Sequence, residues 1–338
     1  MSFVLDNGGL FNMARSYYVF TNGRIKRKEN TVYIENETGD KKAIPIEDID
    51  TIHLYGELDL NTKLVNFICQ QGKTVHFYNY YGFYAGSLIP RERNISGDLV
   101  VKQVEHYLDP QKRFYIAYSF VEAALFHILR NLREYKDTDE YQHKIKNELS
   151  KAAESKSISE LMGCEGRARE VYYQAFNVIL KEGFSIDKRE KRPPTNPVNA
   201  LISFANSMIY TTVLSEIYHT QLNPTISYLH EPRERRYSLC LDIAEIFKPL
   251  IADPIIFKLI NNRIIKIEDF EEDVNYCYMN DTGRKKFIKE LDQKLSTTIK
   301  HRKLKRNVSY KTLIRLECYK IIKHLIGDET YTPFKAWW

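Results

Sequence analysis

The sequence predicts an α+β protein of two domains, a small strand-rich amino-terminal domain followed by a larger all-α domain. Short alternating, β-branched runs separated by turn residues fill the first 90 residues. From about residue 98 the apolar residues instead recur at spacings of three and four, which is typical of helices. A length of 338 residues suits two domains. The predicted domains are residues 1–93 and 98–338.

The strands of the first domain follow from local patterns. Asn22-Gly23, after a short strand at residues 17–20, predicts a type I′ hairpin because both residues tolerate positive φ. Further strands are predicted at residues 31–35, 42–46, 51–56, 74–78 and 84–88, and one helix at residues 61–71.

The second domain is predicted to be helical throughout. Ser157 is a candidate N-cap, and Glu160 three residues later completes a capping-box pattern. Helices are predicted at residues 99–108, 111–133, 140–155, 157–181, 199–220, 241–261, 282–298 and 309–326.

Composition narrows the function classes only slightly. The 50 basic and 44 acidic residues give a net charge of +6, which permits a nucleic-acid partner without requiring one. No apolar run reaches the ~20 residues of a membrane span, and no signal peptide is evident, so we expect a cytoplasmic protein with no membrane partner. Five scattered cysteines favour neither a zinc knuckle nor a disulfide framework.

Candidate metal ligands occur at three places in the second domain. They are Glu165, His230 and the pair Asp242 and Glu245, whose spacing of three places both carboxylates on nearly one side of a helix. We expect that acidic side to face a cleft. Carboxylates and an imidazole suit a hard divalent ion such as Mg²⁺ or Mn²⁺. Taken singly, each acidic residue is more often a solvated helix residue than a metal ligand. A single histidine is likewise more often a loop or core residue whose hydrogen bonds are made within the protein.

The local contexts make the pattern specific. Glu165-Gly166-Arg167-Ala168-Arg169 is followed by Tyr172-Tyr173, and Leu229-His230-Glu231-Pro232 precedes the acidic helix at residues 238–250. Together with residues 192–204, the hairpin at residues 20–23 and the turn at residues 59–61, these motifs resemble the CRISPR-associated protein 1 family over nearly the whole chain. Residues 1–12 precede the usual start of that family, and we expect an extension or a different start codon.

The resemblance implies roles for the candidate residues. Glu165, His230 and Glu245 would bind Mg²⁺ or Mn²⁺, and Asp242 would support catalysis from beside the metal. Many family members have Asp where this chain has Glu245, and both are oxygen ligands. The implied activity is that of a metal-dependent endonuclease and integrase, which inserts prespacer DNA into the CRISPR array by attack of a 3′-hydroxyl on a phosphodiester at the repeat boundary.

The resemblance also implies partners. These are double-stranded DNA, a second copy of the chain joined through the strand-rich domain, and a dimer of CRISPR-associated protein 2. Two alternative functions stay open: a scaffold that positions DNA without catalysis, and a general metallonuclease of DNA repair.

Basic residues near these motifs are candidates for DNA binding. One group directly follows His230, and the other is a dense run between two helices that could equally be a solvated linker. The candidates are Arg233, Arg235, Arg236, Lys300, Arg302, Lys303, Lys305 and Arg306.

Overall fold

The structure is a computed structural model that describes residues 4–5, 14–91, 94, 96–181, 183–191, 193–232, 237–273 and 276–338. The chain divides into two compact units, residues 1–93 and 94–338. The first is rich in strands and the second is mostly helical, in agreement with the predicted α+β class. The prediction that the second unit is all-α is wrong, because it also contains two short hairpins.

Two sheets form the first unit. The five-stranded sheet has the order β1-β2-β6-β8-β9, formed by β1 (Val4–Leu5), β2 (Arg15–Val19), β6 (Ile49–Leu54), β8 (Thr74–Tyr78) and β9 (Tyr84–Leu88). The four-stranded sheet has the order β5-β4-β3-β7, formed by β3 (Gly23–Lys28), β4 (Thr31–Asn36), β5 (Lys41–Pro45) and β7 (Leu58–Asp59). One helix, α1 (Thr62–Gln70), completes the unit.

The predicted hairpin at Asn22-Gly23 is wrong. β2 pairs with β6, and β3 pairs with β4, so the two residues carry the chain from one sheet to the other. The Asn22 side chain accepts a hydrogen bond from the backbone of Glu57. A Cβ atom on Gly23 would lie 2.2 Å from the carbonyl oxygen of Glu35, so close backbone approach requires glycine there.

Apolar side chains from both sheets and from α1 form one core in this unit. Val19, Ile34 and Phe67 are each almost fully buried within it. The alternating burial of β4 explains why residues 31–35 read as a strand in the sequence.

The second unit is built from nine α-helices in the described residues. Their bounds are α2 (Gly97–Leu108), α3 (Pro110–Leu132), α4 (Asp139–Glu154), α5 (Ile158–Ile179), α6 (Pro197–Tyr218), α7 (Ser238–Phe247), α8 (Asp253–Asn261), α9 (Asp281–Ser296) and α10 (Tyr310–Leu325). The two hairpins are β10 (Phe270–Asp273) with β11 (Tyr276–Met279) and β12 (Thr298–Lys300) with β13 (Asn307–Ser309).

Helix ends in the second unit follow local capping chemistry. The Ser157 hydroxyl accepts a hydrogen bond from the backbone N–H of Glu160, as an N-cap does. The Glu160 carboxylate accepts from the backbone of Lys156, so the reciprocal bond of a capping box goes to the neighbouring residue. Within the described ranges, no helix is long and apolar enough to cross a membrane.

The predicted single helix at residues 241–261 is interrupted. α7 and α8 are joined by a π-helical segment, Lys248–Ala252. Pro249 lies inside this segment and has no backbone N–H, which removes one helical hydrogen bond. The side chain of Asn131 donates to the Pro249 carbonyl oxygen at 2.6 Å. Such π-helical insertions are common beside functional residues, and this one begins three residues after Glu245.

Candidate active site

His230 is held by the carboxylate of Asp242. Oδ2 of Asp242 accepts hydrogen bonds from the backbone N–H groups of Tyr228 (2.7 Å) and Leu229 (3.0 Å). Oδ1 accepts from the backbone N–H of His230 (3.0 Å) and lies 2.8 Å from its ring Nδ1. The acceptor carboxylate places the proton on Nδ1, so Nε2 is the nitrogen available to a ligand.

The loop that contains His230 is fixed on its other side as well. Arg113 on α3 donates to the carbonyl oxygen of Tyr228 at 2.9 Å and forms an ion pair with Glu231 at 2.6 Å. The Ser227 hydroxyl donates to the carbonyl oxygen of His230 at 2.5 Å. The imidazole is therefore oriented before any ligand arrives.

Arg169 joins the other two predicted ligands. Its Nε donates to Oε1 of Glu165 at 2.9 Å, one turn earlier on α5. Its Nη2 donates to Oε2 of Glu245 on α7 at 2.5 Å. Lys248 lies 2.5 Å from Oε1 of Glu245. One buried guanidinium thus brings together two carboxylates from separate helices.

The charges at this site shift several pKa values. Burial favours the neutral acid of Glu245, but the charges of Lys248 and Arg169 outweigh it and lower its pKa to about 2. Burial likewise favours neutral His230, but its hydrogen bond to Asp242 and the negative charges of Asp242 and Glu245 raise the pKa of the ring above 6.5. Glu245 is therefore ionised at neutral pH.

The expectation that Asp242 faces a cleft is wrong. Asp242 is fully buried, whereas Leu241, expected to pack inside, is partly exposed. A loop packs over α7, and its backbone N–H groups donate hydrogen bonds to the carboxylate of Asp242. Buried N–H groups need acceptors, so Asp242 is covered by the loop and does not face a cleft.

The donor chemistry suits a hard divalent ion. Nε2 of His230 and Oε2 of Glu165 have no hydrogen-bond partner among the described residues, whereas both carboxylate oxygens of Glu245 are occupied by Arg169 and Lys248. In the part of the chain that the structure describes, no group of three acidic, histidine or cysteine side chains is arranged to hold a metal ion. The ligand set Glu165, His230 and Glu245 therefore stays a prediction, and binding would require the two cations to release Glu245.

Sequence reasoning missed the cations of this site. Arg169 lies four residues after Glu165, and Lys248 lies three residues after Glu245, spacings that place each cation beside its carboxylate on a helix. Lys191 lies on a loop, where spacing carries no such signal. Burial of its ammonium and the nearby charges of Arg189 and Lys248 lower its pKa, although Glu245 and Glu165 act in the opposite direction.

The predicted basic linker is a hairpin. Lys300, Arg302, Lys303, Lys305 and Arg306 are all exposed on or between β12 and β13. The guanidinium of Arg302 lies over the ring of Trp337, 5.1 Å from its centroid. Arg233, Arg235 and Arg236 lie outside the described residues.

Comparisons of sequence and fold with known proteins identify the family of this chain. The family model described as CRISPR associated protein Cas1 matches residues 17–293. CRISPR-associated endonuclease Cas1 3 of Thermodesulfovibrio yellowstonii is 79% identical over 324 residues, which cover 96% of this chain and 100% of that protein. The solved structure of a CAS1 protein from Thermotoga maritima superposes with a TM-score of 0.87 at 41% identity, covering 95% of this chain and 100% of that one.

Two more distant structures share the fold. A casposase bound to integration product has a TM-score of 0.80 at 20% identity, over 93% of this chain and 91% of that one. A chain of a Cas6-RT-Cas1–Cas2 complex has a TM-score of 0.84 at 16% identity, over 99% of this chain and 37% of that one. The sequence identities and the matched family model together show that this chain belongs to the CRISPR-associated Cas1 family.

Proposed function

We propose that this protein is a metal-dependent DNA integrase of CRISPR adaptation that also cleaves DNA from the same site. The observation that supports this most is the pairing of Glu165 with Glu245 through Arg169 in a chain of the Cas1 family. The orientation of His230 by Asp242 supplies a third ligand type from a separate segment.

The residues that would hold the ion are Glu165, Glu245 and Nε2 of His230. Bound Mg²⁺ or Mn²⁺ would polarise a phosphoryl oxygen and stabilise charge on the entering and leaving oxygens. Asp242 keeps the proton of His230 on Nδ1, so that Nε2 presents its lone pair. Its own carboxylate is committed to backbone N–H groups, so Asp242 acts on His230 and not on DNA.

The proposed reaction is a transesterification. The 3′-hydroxyl oxygen of the prespacer forms a bond to a phosphorus atom of the repeat, and the bond from that phosphorus to the 3′-oxygen of the repeat strand breaks. The attacking hydroxyl loses a proton to solvent, and the leaving oxygen takes one up. If water attacks instead, the same exchange is hydrolysis.

DNA binding is proposed for the basic hairpin between α9 and α10 and for the arginines after His230. Exposed cations would contact phosphates with little dependence on sequence, so repeat recognition would depend on DNA shape. We also propose a homodimer and an assembly with a dimer of CRISPR-associated protein 2. The shared fold with chains bound to integration product or found in a Cas1–Cas2 complex is compatible with these partners.

A strand-transfer assay tests the proposal. Labelled DNA with a free 3′-hydroxyl and a plasmid that carries a leader and repeat are incubated with the protein and Mn²⁺ or Mg²⁺, with and without CRISPR-associated protein 2. We expect joined product that EDTA abolishes. Glu165→Gln should abolish it, whereas Glu170→Gln, an exposed change on the same helix, should not.

The alternatives predict different results in that assay. DNA binding without joined product would support a scaffold. Cleavage of DNA without any preference for the leader–repeat boundary would support a general nuclease.

A further inference from the structure

Arg169 is a cation that cannot turn to solvent. It is buried, and its polar contacts are to Glu165 and Glu245. The ammonium of Lys248 belongs to a side chain that is 15% exposed at the edge of the site. A cation inside a protein is stable only while it has anionic or hydrogen-bonding partners. If a divalent ion took the two carboxylates, Lys248 could turn outward, but Arg169 would need another acceptor within the protein.

A third carboxylate is available for that purpose. Asp253 is the first residue of α8 and is 4% exposed. Its Oδ2 is buried and has no hydrogen-bond partner among the described residues. The group lies within electrostatic range of Arg169. An orphaned buried acceptor is uncommon and calls for an explanation.

Asp253 lies beside a hydrogen-bonded network. The hydroxyl of Tyr172 on α5 lies close enough to the carboxyl group of Asp253 to influence its pKa. Tyr172 in turn accepts a hydrogen bond from Asn131 at 3.0 Å, and Asn131 also donates to Pro249 in the π-helical segment. The second acceptor therefore lies beside a network that links α3, α5 and the segment that follows Glu245.

We propose that Arg169 is a positioning residue that exchanges partners: it neutralises Glu165 and Glu245 in the metal-free site and pairs with Asp253 when a divalent ion takes those two carboxylates. This inference rests on the proposed metal-dependent function. The exchange avoids both a buried cation without a partner and direct repulsion between the guanidinium and the ion. Asp253 thus contributes to metal affinity without being a ligand.

Mn²⁺ binding to the full chain tests the exchange, with binding measured by calorimetry or by the loss of the free-ion paramagnetic resonance signal. Asp253→Asn should weaken Mn²⁺ binding by about tenfold or more, as loss of a supporting group outside the ligands does. Its metal-free Tm should fall by no more than that of Asp139→Asn, the matched change at the exposed first residue of α4. A loss of Tm with unchanged Mn²⁺ affinity would mean that Asp253 is merely structural and would overturn the proposal.

Arg169→Met gives a second test. Without the guanidinium, Glu165 and Glu245 repel each other, so the metal-free Tm should fall, and saturating Mn²⁺ should raise Tm by more than in the unaltered protein. An equal or smaller rise would contradict the exchange. If the unaltered protein binds no Mn²⁺, the exchange is wrong. If it binds Mn²⁺ but joins no DNA, the proposed function fails while both variants still decide the exchange.

Discussion

The candidate site has two halves that are held in different ways. In the histidine half, His230 and Asp242, one carboxylate accepts hydrogen bonds from a loop backbone and from the imidazole. In the carboxylate half, Glu165 and Glu245, the side chains are held by the side-chain cations of Arg169 and Lys248. Backbone donors cannot leave their acceptor without rearranging the loop, whereas side-chain cations can exchange for another cation.

The two halves therefore have different roles: one orients a metal ligand, and the other balances the charge of the carboxylates. The histidine half fixes the direction of one ligand before the ion arrives, as a supporting carboxylate does in metal sites. The carboxylate half keeps two carboxyl groups near one another, and its cations occupy both carboxylate oxygens of Glu245. We therefore expect changes in the two halves to have different consequences.

Loss of a ligand should have the largest effect. Glu165→Gln or His230→Ala should reduce strand transfer and DNA cleavage together, on the order of a thousandfold, because metal stabilisation of the transition state contributes several kcal/mol. DNA affinity, measured by fluorescence anisotropy, should be nearly unchanged. Full strand-transfer activity in His230→Ala would show that the histidine half is not part of the active site.

Asp242→Asn should damage the histidine half in both stability and ligand orientation. An amide cannot accept from every donor that faces the carboxylate, so we expect the free energy of unfolding to fall by about 2–4 kcal/mol. Mn²⁺ affinity should fall ~10–100-fold, less than for loss of a ligand. Urea unfolding and calorimetry measure the two effects. An unchanged unfolding midpoint would contradict the hydrogen bonds at Asp242.

His127 contacts the backbone next to Glu245, and we expect it to make the free energy of unfolding fall at acid pH. Its Nδ1 donates to the carbonyl oxygen of Ile246, beside Glu245, and its Nε2 accepts from the backbone N–H of Ala336. Burial lowers the pKa of His127 to about 4. Because the unfolded chain takes up this proton near pH 6.5 and the folded one only near pH 4, stability is lost as pH falls through that window.

The expected loss from His127 at pH 5.5 is about 1.4 kcal/mol, equivalent to one pH unit below the unfolded pKa. Urea unfolding from pH 7.5 to 4.5 measures it. His127→Gln, which does not titrate, should show a correspondingly shallower decline. Parallel curves for the two proteins would rule out His127 as the acid-sensitive group.

Changes in the basic hairpin formed by β12 and β13 should affect neither half of the candidate metal site. Replacing Lys303, Lys305 and Arg306 with Ala should weaken DNA binding and reduce the salt dependence of the binding constant, by roughly 0.9 in slope for each lost phosphate contact. Mn²⁺ affinity should be unchanged. An unchanged salt slope would support the alternative of a solvated linker.

A charge-matched control separates contact from net charge. The triple replacement of Lys136, Lys144 and Lys146 with Ala removes the same charge from exposed positions of the loop before α4 and of α4 itself. Its salt slope should stay close to that of the unaltered protein.

Local chemistry explains which parts of the fold the sequence could predict. The helix that begins after Ser157 and the strand at β4 follow from capping and alternation, which act within a few residues. Asn22-Gly23 misled because its conformation is set by distant backbone, the carbonyl of Glu35 and the N–H of Glu57. Tertiary partners, absent from a local pattern, decided that turn.

The same limit applies to the site. Motif context singled out Glu165, His230 and Glu245, and the structure joins two of them through one guanidinium. Burial of Asp242 could not be read from helical spacing, because a loop from a separate segment covers it. The role proposed for Asp253 could not be predicted, because the predicted continuous helix over residues 241–261 hid the start of α8 at this residue.

A crystal structure of the protein with bound Mn²⁺ tests the central claim, the metal centre at Glu165, His230 and Glu245, most directly. Anomalous scattering locates the ion without assumptions about its ligands. We predict one ion within ~2.0–2.6 Å of a carboxylate oxygen of Glu165, a carboxylate oxygen of Glu245 and Nε2 of His230. Asp242 should still bind Nδ1 of the imidazole. An ion bound elsewhere, with Arg169 still joining Glu165 to Glu245, would contradict the proposed metal centre.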